Sequence, residues 1–373
     1  MTDIIRVHPA DPDPEGIARA AACLRDGGRV AFPTETVYGL GAHALDRAAV
    51  ARLFKAKGRP ASDPLIVHVV GVDHLLPLVQ RVPDAARVLA ERFWPGALTL
   101  VLGRSSIVPD AVTAGLDTVA VRVPSHPVAR ALLLAAGVPV AAPSANLFSR
   151  PSPTTAAHVM ADLDGRIDMV VDGGSTEVGI ESTVLDLSQT PPVVLRPGAV
   201  TLDMLRRVLP DVTQGAGLPG PAGSMPSPGL LAKHYSPRAP LTLYEGAAEA
   251  VLPRLLHDAR VALAAGQRVG IVAPDEDRPA CEAFMASTDR FVARYLGSID
   301  DLALVAARLY AVLREVDAAA VDLILAHGLP ATSGLGVAVQ DRLRRAAAGR
   351  TVHCSATVCP ASCRRRTVRA AAA

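Results

Sequence analysis

Aromatic residues are scarce in this 373-residue chain: Phe, Trp and Tyr together make up 3% of it, with one Trp. Half of the residues are nonetheless hydrophobic, so a sizeable core must be built from Ala, Val and Leu. Neither sign of charge is in excess. The formal net charge is +2; residues 1–200 carry 18 Lys+Arg against 20 Asp+Glu, and residues 201–350 carry 16 of each. The last 23 residues add four arginines and no acid. This balance lacks the footprint of a dedicated nucleic-acid binder. The five cysteines, two scattered and three crowded near the end, make no disulfide framework. No run of 18 or more apolar residues is present to span a membrane. The opening MTDIIRVHPADPDPEG is acidic and Pro-rich, unlike a signal peptide. A reducing cytoplasm is the expected setting.

Several catalytic signatures are absent too. There is no G-x-x-x-x-G-K-[ST] and no G-x-G-x-x-G after a strand. No Ser-His-Asp or Cys-His nucleophile pairing stands out. These absences argue against a P-loop enzyme and against a covalent hydrolase.

The length allows two or three domains at ~150 residues each. Over the first 200 residues the pattern mixes short strands with helices expected at 14–24, 83–93, 127–136 and 154–161, Thr154 capping the last. Residues 210–240 hold 7 Pro and 5 Gly, which reads as a long linker. Residues 241–350 alternate strand and helix four times, the mark of a small, mostly parallel open sheet. Residues 351–373 have no apolar period and are expected to be disordered. Their C-x4-C-x3-C spacing, with His353 nearby, matches no usual zinc pattern.

Five stretches place small hydroxyl residues, Gly or Arg where a strand ends. PTETVYGLG at 33–41 reads as a loop offering N–H groups and hydroxyls to a ligand, or as an ordinary turn. Lys55, Lys57 and Arg59 suit a phosphate, or the C-terminus of their own helix. Arg122 projects from an apolar strand expected at 118–123 and can meet a carboxylate or phosphate, or snorkel at an edge. APSAN at 142–146 runs toward a helix start, where N–H groups hold anions. A Gly-rich loop leads into IEST at 180–183, and Arg196 ends the following strand. Convergence of these ends on one cleft would seat a polyanion beside a small polar molecule.

At these residues the chain resembles the Sua5/YwlC/YrdC family of threonylcarbamoyl-AMP synthases. The likeness runs through PTETVYGLG, KGRP…DPLIVH, FWPGALTLVL, TVAVRVP, APSAN, RPSPT, GIESTVLDL and RPGA. The linker, with its HYSP at 234–237, and the α/β end resemble the longer, two-domain form. The resemblance implies an α/β fold: a YrdC-like twisted, open mixed sheet with helices over 13–205, a linker and lid over 206–240, and a smaller Rossmann-like parallel α/β domain over 241–350. Related carbamoyl-transfer enzymes of hydrogenase maturation carry paired C-x-x-C motifs, which this chain lacks.

The activity implied is a nucleotidyl transfer that joins L-threonine, bicarbonate and ATP, with Mg²⁺, into L-threonylcarbamoyl-AMP, pyrophosphate and water. Downstream threonylcarbamoyl-transferase proteins then carry the group to adenosine 37 of tRNAs reading ANN codons (t6A). Direct tRNA binding is expected to be weak or absent. By resemblance, Thr36, His68, Arg122, Ala142 and Ser182 form the threonine set. Arg59, Asp63, Thr118, Ser144, Ser152, Arg196 and Tyr235 form the ATP set, with Lys55 and Lys57 adding to the phosphate field. No protein nucleophile is implied, and the metal ligands are left unassigned. Two departures stand out: Asp63 replaces a frequent Asn, and Ala142 offers only its backbone.

Overall fold

The computed structural model describes residues 1–215, 225, 227, 229, 233–285, 288–329 and 334–355. Among these, one large sheet collects β1 (Asp3–Arg6), β2 (Val30–Pro33), β3 (Tyr38–His43), β4 (Ile66–His68), β5 (Leu98–Gly103), β6 (Thr118–Arg122), β7 (Val140–Ala141), β8 (Met169–Asp172), β9 (Thr183–Asp186), β10 (Val193–Arg196) and β11 (Thr213–Gln214). The order is β1-β8-β2-β3-β7-β4-β6-β5-β9-β10-β11, with parallel and antiparallel neighbours mixed. A second sheet holds β12 (Leu241–Gly246), β13 (Val269–Ala273), β14 (Phe291–Tyr295), β15 (Leu323–His327) and β16 (Thr351–Cys354). Its order is β14-β13-β15-β12-β16 and every neighbour is parallel. The chain is thus α/β in both parts, one mixed sheet and one Rossmann-like parallel sheet.

Local chemistry sets the element ends. The Asp13 carboxylate accepts the Gly16 N–H at 2.8 Å to start the helix Pro14–Arg25, and Pro14 takes the first position, where no N–H is needed. The Asp46 carboxylate starts the helix Arg47–Lys57. Gly58, left-handed at φ 63°, ends that helix. The reversal turns Arg59 inward, where it is 8% exposed.

Alternation along the central strands divides the sheet into two faces. Val67, Leu100, Val121 and Leu185 face the main core, packed with Val50, Leu53 and Leu89. Ile66, Val101, Ala120 and Val184 make a small separate cluster on the other face, the face that carries the cleft. A third cluster joins the two parts, Val37, Ile180 and Tyr235 packing with Leu309, Tyr310, Leu313 and Leu343.

Four local expectations are corrected. Residues 38–41 of PTETVYGLG belong to strand β3, paired antiparallel with β2, and only residues 34–37 form a turn. Its glycines hid the alternation; a Cβ at Gly41 would lie 2.9 Å from both Phe32 and Val140. Thr155, not Thr154, caps the helix Ala156–Leu163. Strand β11 lies inside the Pro/Gly-rich stretch and extends β10. Finally, residues 351–354 are β16, paired with β12, and Cys354 is buried in the core there. Cys359 and Cys363 fall outside the described residues.

Candidate active site

The turn between β2 and β3 supplies the first group. Thr34 donates its hydroxyl to the Val37 carbonyl (2.6 Å) and accepts from the N–H groups of Thr36 and Val37. This side-chain-closed turn sets Thr36 beside Arg122, whose Nη1 donates to Thr36 Oγ1 at 2.9 Å. Arg122 is the last residue of β6 and is buried. Its Nη2 lies 2.7 Å from Glu35 Oε1, and its Nε donates to the Gly96 carbonyl. Burial works to raise the Glu35 pKa, but the Arg122 charge and N–H donors outweigh it and the net shift is downward.

His68 on β4 and Thr99 on β5 stand in register beside Arg122. Burial first, and the Arg122 charge second, push the His68 pKa down to about 3, so the ring is neutral. Thr99 Oγ1 and Ser182 Oγ share a hydrogen bond of 2.8 Å. Arg196, ending β10, donates from Nε to the Ser182 carbonyl (3.1 Å) and from Nη2 to Ser182 Oγ (3.2 Å). The Arg122-side and Arg196-side groups therefore meet at Ser182.

The HYSP segment closes the cleft. Tyr235 is 1% exposed and sits at φ 59°, an uncommon conformation for a bulky residue. Its ring lies 5.4 Å from that of Tyr310. The Ser236 N–H donates to the Ser149 carbonyl and its hydroxyl to the Ala346 carbonyl, so the segment is pinned to both parts of the molecule. Three buried arginines, Arg59, Arg122 and Arg196, thus line one cleft with neutral histidines His68 and His234. Such a wall suits anions.

Burial also pushes His234 down to about 3 and His158 to about 4. These folded-state values lie below the usual 6.5, so the unfolded chain binds more protons once pH drops under about 6.5. Stability is therefore expected to be level above pH 7 and to fall steadily from pH 6.5 toward pH 4. Thermal melts should show a midpoint lower by at least about 5 °C at pH 5 than at pH 7.5. A flat profile would mean these rings are not held neutral.

The sequence from 22 to 198 matches the family model described as "Telomere recombination" (Sua5_yciO_yrdC), and 200–348 matches the model "Threonylcarbamoyl-AMP synthase, C-terminal domain". The threonylcarbamoyl-AMP synthase of Bacillus subtilis is 46% identical over 91% of this chain and 95% of its own length. The chain belongs to the threonylcarbamoyl-AMP synthase family. Enzymes of this family are nucleotidyltransferases of tRNA processing, and so is this one. The Pyrococcus abyssi threonylcarbamoyl-AMP synthase is 43% identical over 94% of this chain and 99% of its own. The structure of Pyrococcus abyssi Sua5 complexed with L-threonine superposes with a TM-score of 0.86, at 41% identity over 94% of this chain and 99% of that one.

Of the residues that the family resemblance singled out, Thr36, Arg59, His68, Arg122, Ala142, Ser144, Ser182, Arg196 and Tyr235 line the cleft. Five do not. Asp63 is fully buried behind Arg59, 2.9 Å from its Nη2, so its charge is matched rather than presented. Thr118 begins β6, four residues before Arg122, which puts it ~13 Å away along the strand. Ser152 is buried and donates to Glu181 at 2.5 Å. Lys55 points to solvent on the helix Arg47–Lys57. Lys57 is buried and donates to the carbonyls of Ser144 and Asn146 at 2.5 Å each. It therefore braces the loop carrying Ser144 rather than adding to the cleft's field, and burial drives its pKa well down. Sequence reading missed Thr34, Glu35 and Glu181. The signal for Glu35 was available: it is the only acid in PTETVYGLG, and the apolar strand of TVAVRVP carries an Arg that needs a counter-charge.

Proposed function

We propose that the cleft seats L-threonine against Arg122, Thr36 and His68, and ATP along Arg59, Ser144, Arg196 and Tyr235. The observation that carries this reading is the meeting of Arg122 and Arg196 on one cleft, with Ser182 hydrogen-bonded to Arg196 and to Thr99, the cross-strand neighbour of Arg122. It is supported by the L-threonine complex of the Pyrococcus abyssi relative. Threonine's amine and bicarbonate give a carbamate and water. The carbamate oxygen attacks the α-phosphorus of ATP, and the bond to pyrophosphate breaks. The products are L-threonylcarbamoyl-AMP and pyrophosphate.

No protein nucleophile enters. Arg122, fixed from behind by Glu35, receives the threonine carboxylate as a charge-assisted contact. Arg59 and Arg196 take the phosphate charge as it moves toward pyrophosphate. Neutral His68 contributes hydrogen bonding without a second cation beside Arg122. Tyr235, covering the cleft, excludes water from a mixed anhydride that hydrolyses readily. Mg²⁺ is proposed to arrive with ATP, held by the phosphates and water. The protein offers it no cage: among the described residues no group of three His, Cys, Asp or Glu could hold a metal, and Asp63 is committed to Arg59.

The product is proposed to pass to threonylcarbamoyl-transferase proteins that form t6A at adenosine 37 of tRNAs reading ANN codons, with little direct tRNA binding by this chain. The proposed setting is the cytoplasm; among the described residues no helix is long and apolar enough to cross a membrane.

Mass spectrometry of the purified protein with threonine, labelled bicarbonate and ATP tests the reaction. The label is expected in a threonylcarbamoyl-AMP ion, with pyrophosphate released only when all three substrates are present. Pyrophosphate release independent of threonine would reject the reading. Within the site, Arg196→Ala is expected to weaken ATP binding at least about 30-fold, because it removes a buried charge contact. Threonine affinity should stay within about threefold. Isothermal titration with each ligand decides, and a swapped pattern rejects the assignment.

A further inference from the structure

Arg342, on the helix Gly334–Ala347 of the second part, is the largest fully buried side chain among the described residues. Its guanidinium spends each arm differently. Nε donates to Glu181 Oε2 at 2.8 Å, Nη2 to the Pro197 carbonyl at 3.0 Å, and Nη1 to Asp341 at 2.7 Å. Its centre lies 5.4 Å from the ring of Tyr235. Glu181 immediately precedes Ser182, and Pro197 immediately follows Arg196. One side chain from the far end of the sequence therefore ties together the start of β9 and the end of β10, the two strand ends that carry Ser182 and Arg196.

Glu181 gathers more than one partner. Oε2 also accepts the Tyr310 hydroxyl at 2.8 Å, and Oε1 accepts Ser152. Burial works to raise its pKa, but Arg342 and then Arg196 bring it down to about 2. The carboxylate thus lies between the cleft cation Arg196 and the remote cation Arg342. The two strand ends run close together here: a Cβ on Gly198 would sit 2.4 Å from the Thr183 nitrogen. Small shifts of one end are therefore felt by the other.

We propose that Arg342, acting through Glu181 and Pro197, is a positioning residue for the nucleotide half of the cleft, so that the second part of the chain completes the active site. The proposal rests on the reading that Arg196 holds ATP. Simple adhesion between the two parts does not require this arrangement. The interface already has the Arg314–Asp162 and Arg150–Asp317 ion pairs and a shared apolar cluster, and an added buried ion pair is a weak source of stability. What distinguishes Arg342 is that its partners adjoin cleft residues in the sequence.

The test uses the full-length protein with Arg342→Lys, Glu181→Gln and their double variant, beside Arg150→Lys as an interface control. Lys keeps the charge but cannot reach Glu181 and Pro197 at once. Arg342→Lys and Glu181→Gln are each expected to weaken ATP binding about tenfold, with threonine affinity unchanged within about twofold and the double variant no worse than the weaker single. Arg150→Lys should alter neither ligand. Unchanged ATP affinity in both single variants, or equal weakening of both ligands in step with thermal stability, overturns the proposal. If Arg342→Lys fails to fold, Tyr310→Phe removes one hydroxyl from the same carboxylate and should weaken ATP about threefold; no change overturns the proposal. Arg196→Ala, run in parallel, separates the two levels. If it weakens ATP while Arg342→Lys and Glu181→Gln do not, only the positioning role falls. If it leaves ATP binding intact, the reading of the nucleotide site falls and takes the proposal with it.

Discussion

Replacing Arg122 by Ala is expected to lower threonine affinity at least about 100-fold while leaving ATP affinity within about threefold. The guanidinium serves Glu35, Thr36 and the Gly96 carbonyl at once. Its removal takes away the proposed contact to the substrate carboxylate and strands a buried carboxylate as well, a loss of ~3–5 kcal/mol when one partner of a buried pair goes. Arg122→Lys should recover stability in part and affinity little, because an ammonium cannot satisfy three directions in a plane. The Ala variant's stability deficit should shrink as pH falls, since Glu35 without its cation takes up a proton more readily. Titration calorimetry with threonine, paired with melts at two pH values, reads all three effects. Wild-type threonine affinity in Arg122→Ala would show that the carboxylate binds elsewhere.

The second large effect is expected from one methyl group. Gly179 has φ +76°, and a Cβ there would lie 2.4 Å from Ala307 Cα and 2.5 Å from the Ala306 carbonyl oxygen. Both atoms are backbone of the helix Leu302–Ala318, so no flexible side-chain end can yield. The Gly179 N–H also donates to the Thr36 carbonyl, tying this contact to the turn beside Arg122, the proposed threonine side of the cleft. Gly179→Ala therefore combines left-handed strain of ~1–2 kcal/mol with a forced separation of helix and loop. The melting midpoint is expected to drop by about 5–10 °C, and kcat/KM for threonine by more than tenfold. Gly174→Ala is the matched control, because Gly174 has φ +84° with nothing within 4 Å of its would-be Cβ. If the two variants behave alike in melts and in pyrophosphate release, packing at Gly179 does not govern the site.

Much of this molecule could be read in advance where local pattern is strong. The helix at 127–136 is bounded by Pro127 and Gly137, and it forms as Pro127–Ala136 with Gly137 left-handed. The strand–helix alternation after residue 240 announced the parallel sheet. Legibility failed where the local pattern is weak or ambiguous. β1 buries one residue in four and so shows no alternation. It exists because β8 offers it a parallel partner. β16 was read as the start of a shapeless tail for the same reason.

Cleft residues divide along the same line. The types and order of the motif residues are properties of the chain, and they were enough to bring out nine of the residues that line the cleft. Which cation faces the cleft and which is buried beneath a loop is not such a property. Lys57 and Arg59 lie two apart and read alike, yet Gly58 turns the backbone between them. One ends under the carbonyls of Ser144 and Asn146, the other in the cleft wall.

The sequence by itself determined the family, the two α/β parts and the set of polar residues available for chemistry. The tertiary structure alone decided how those residues are held: Glu35 against Arg122, and Arg342 against Glu181 across 161 positions of chain. Periodicity and capping act over a few residues, where the backbone itself dictates who is near. A buried charge must find its partner wherever the packed core brings one, and that distance in sequence leaves no local trace.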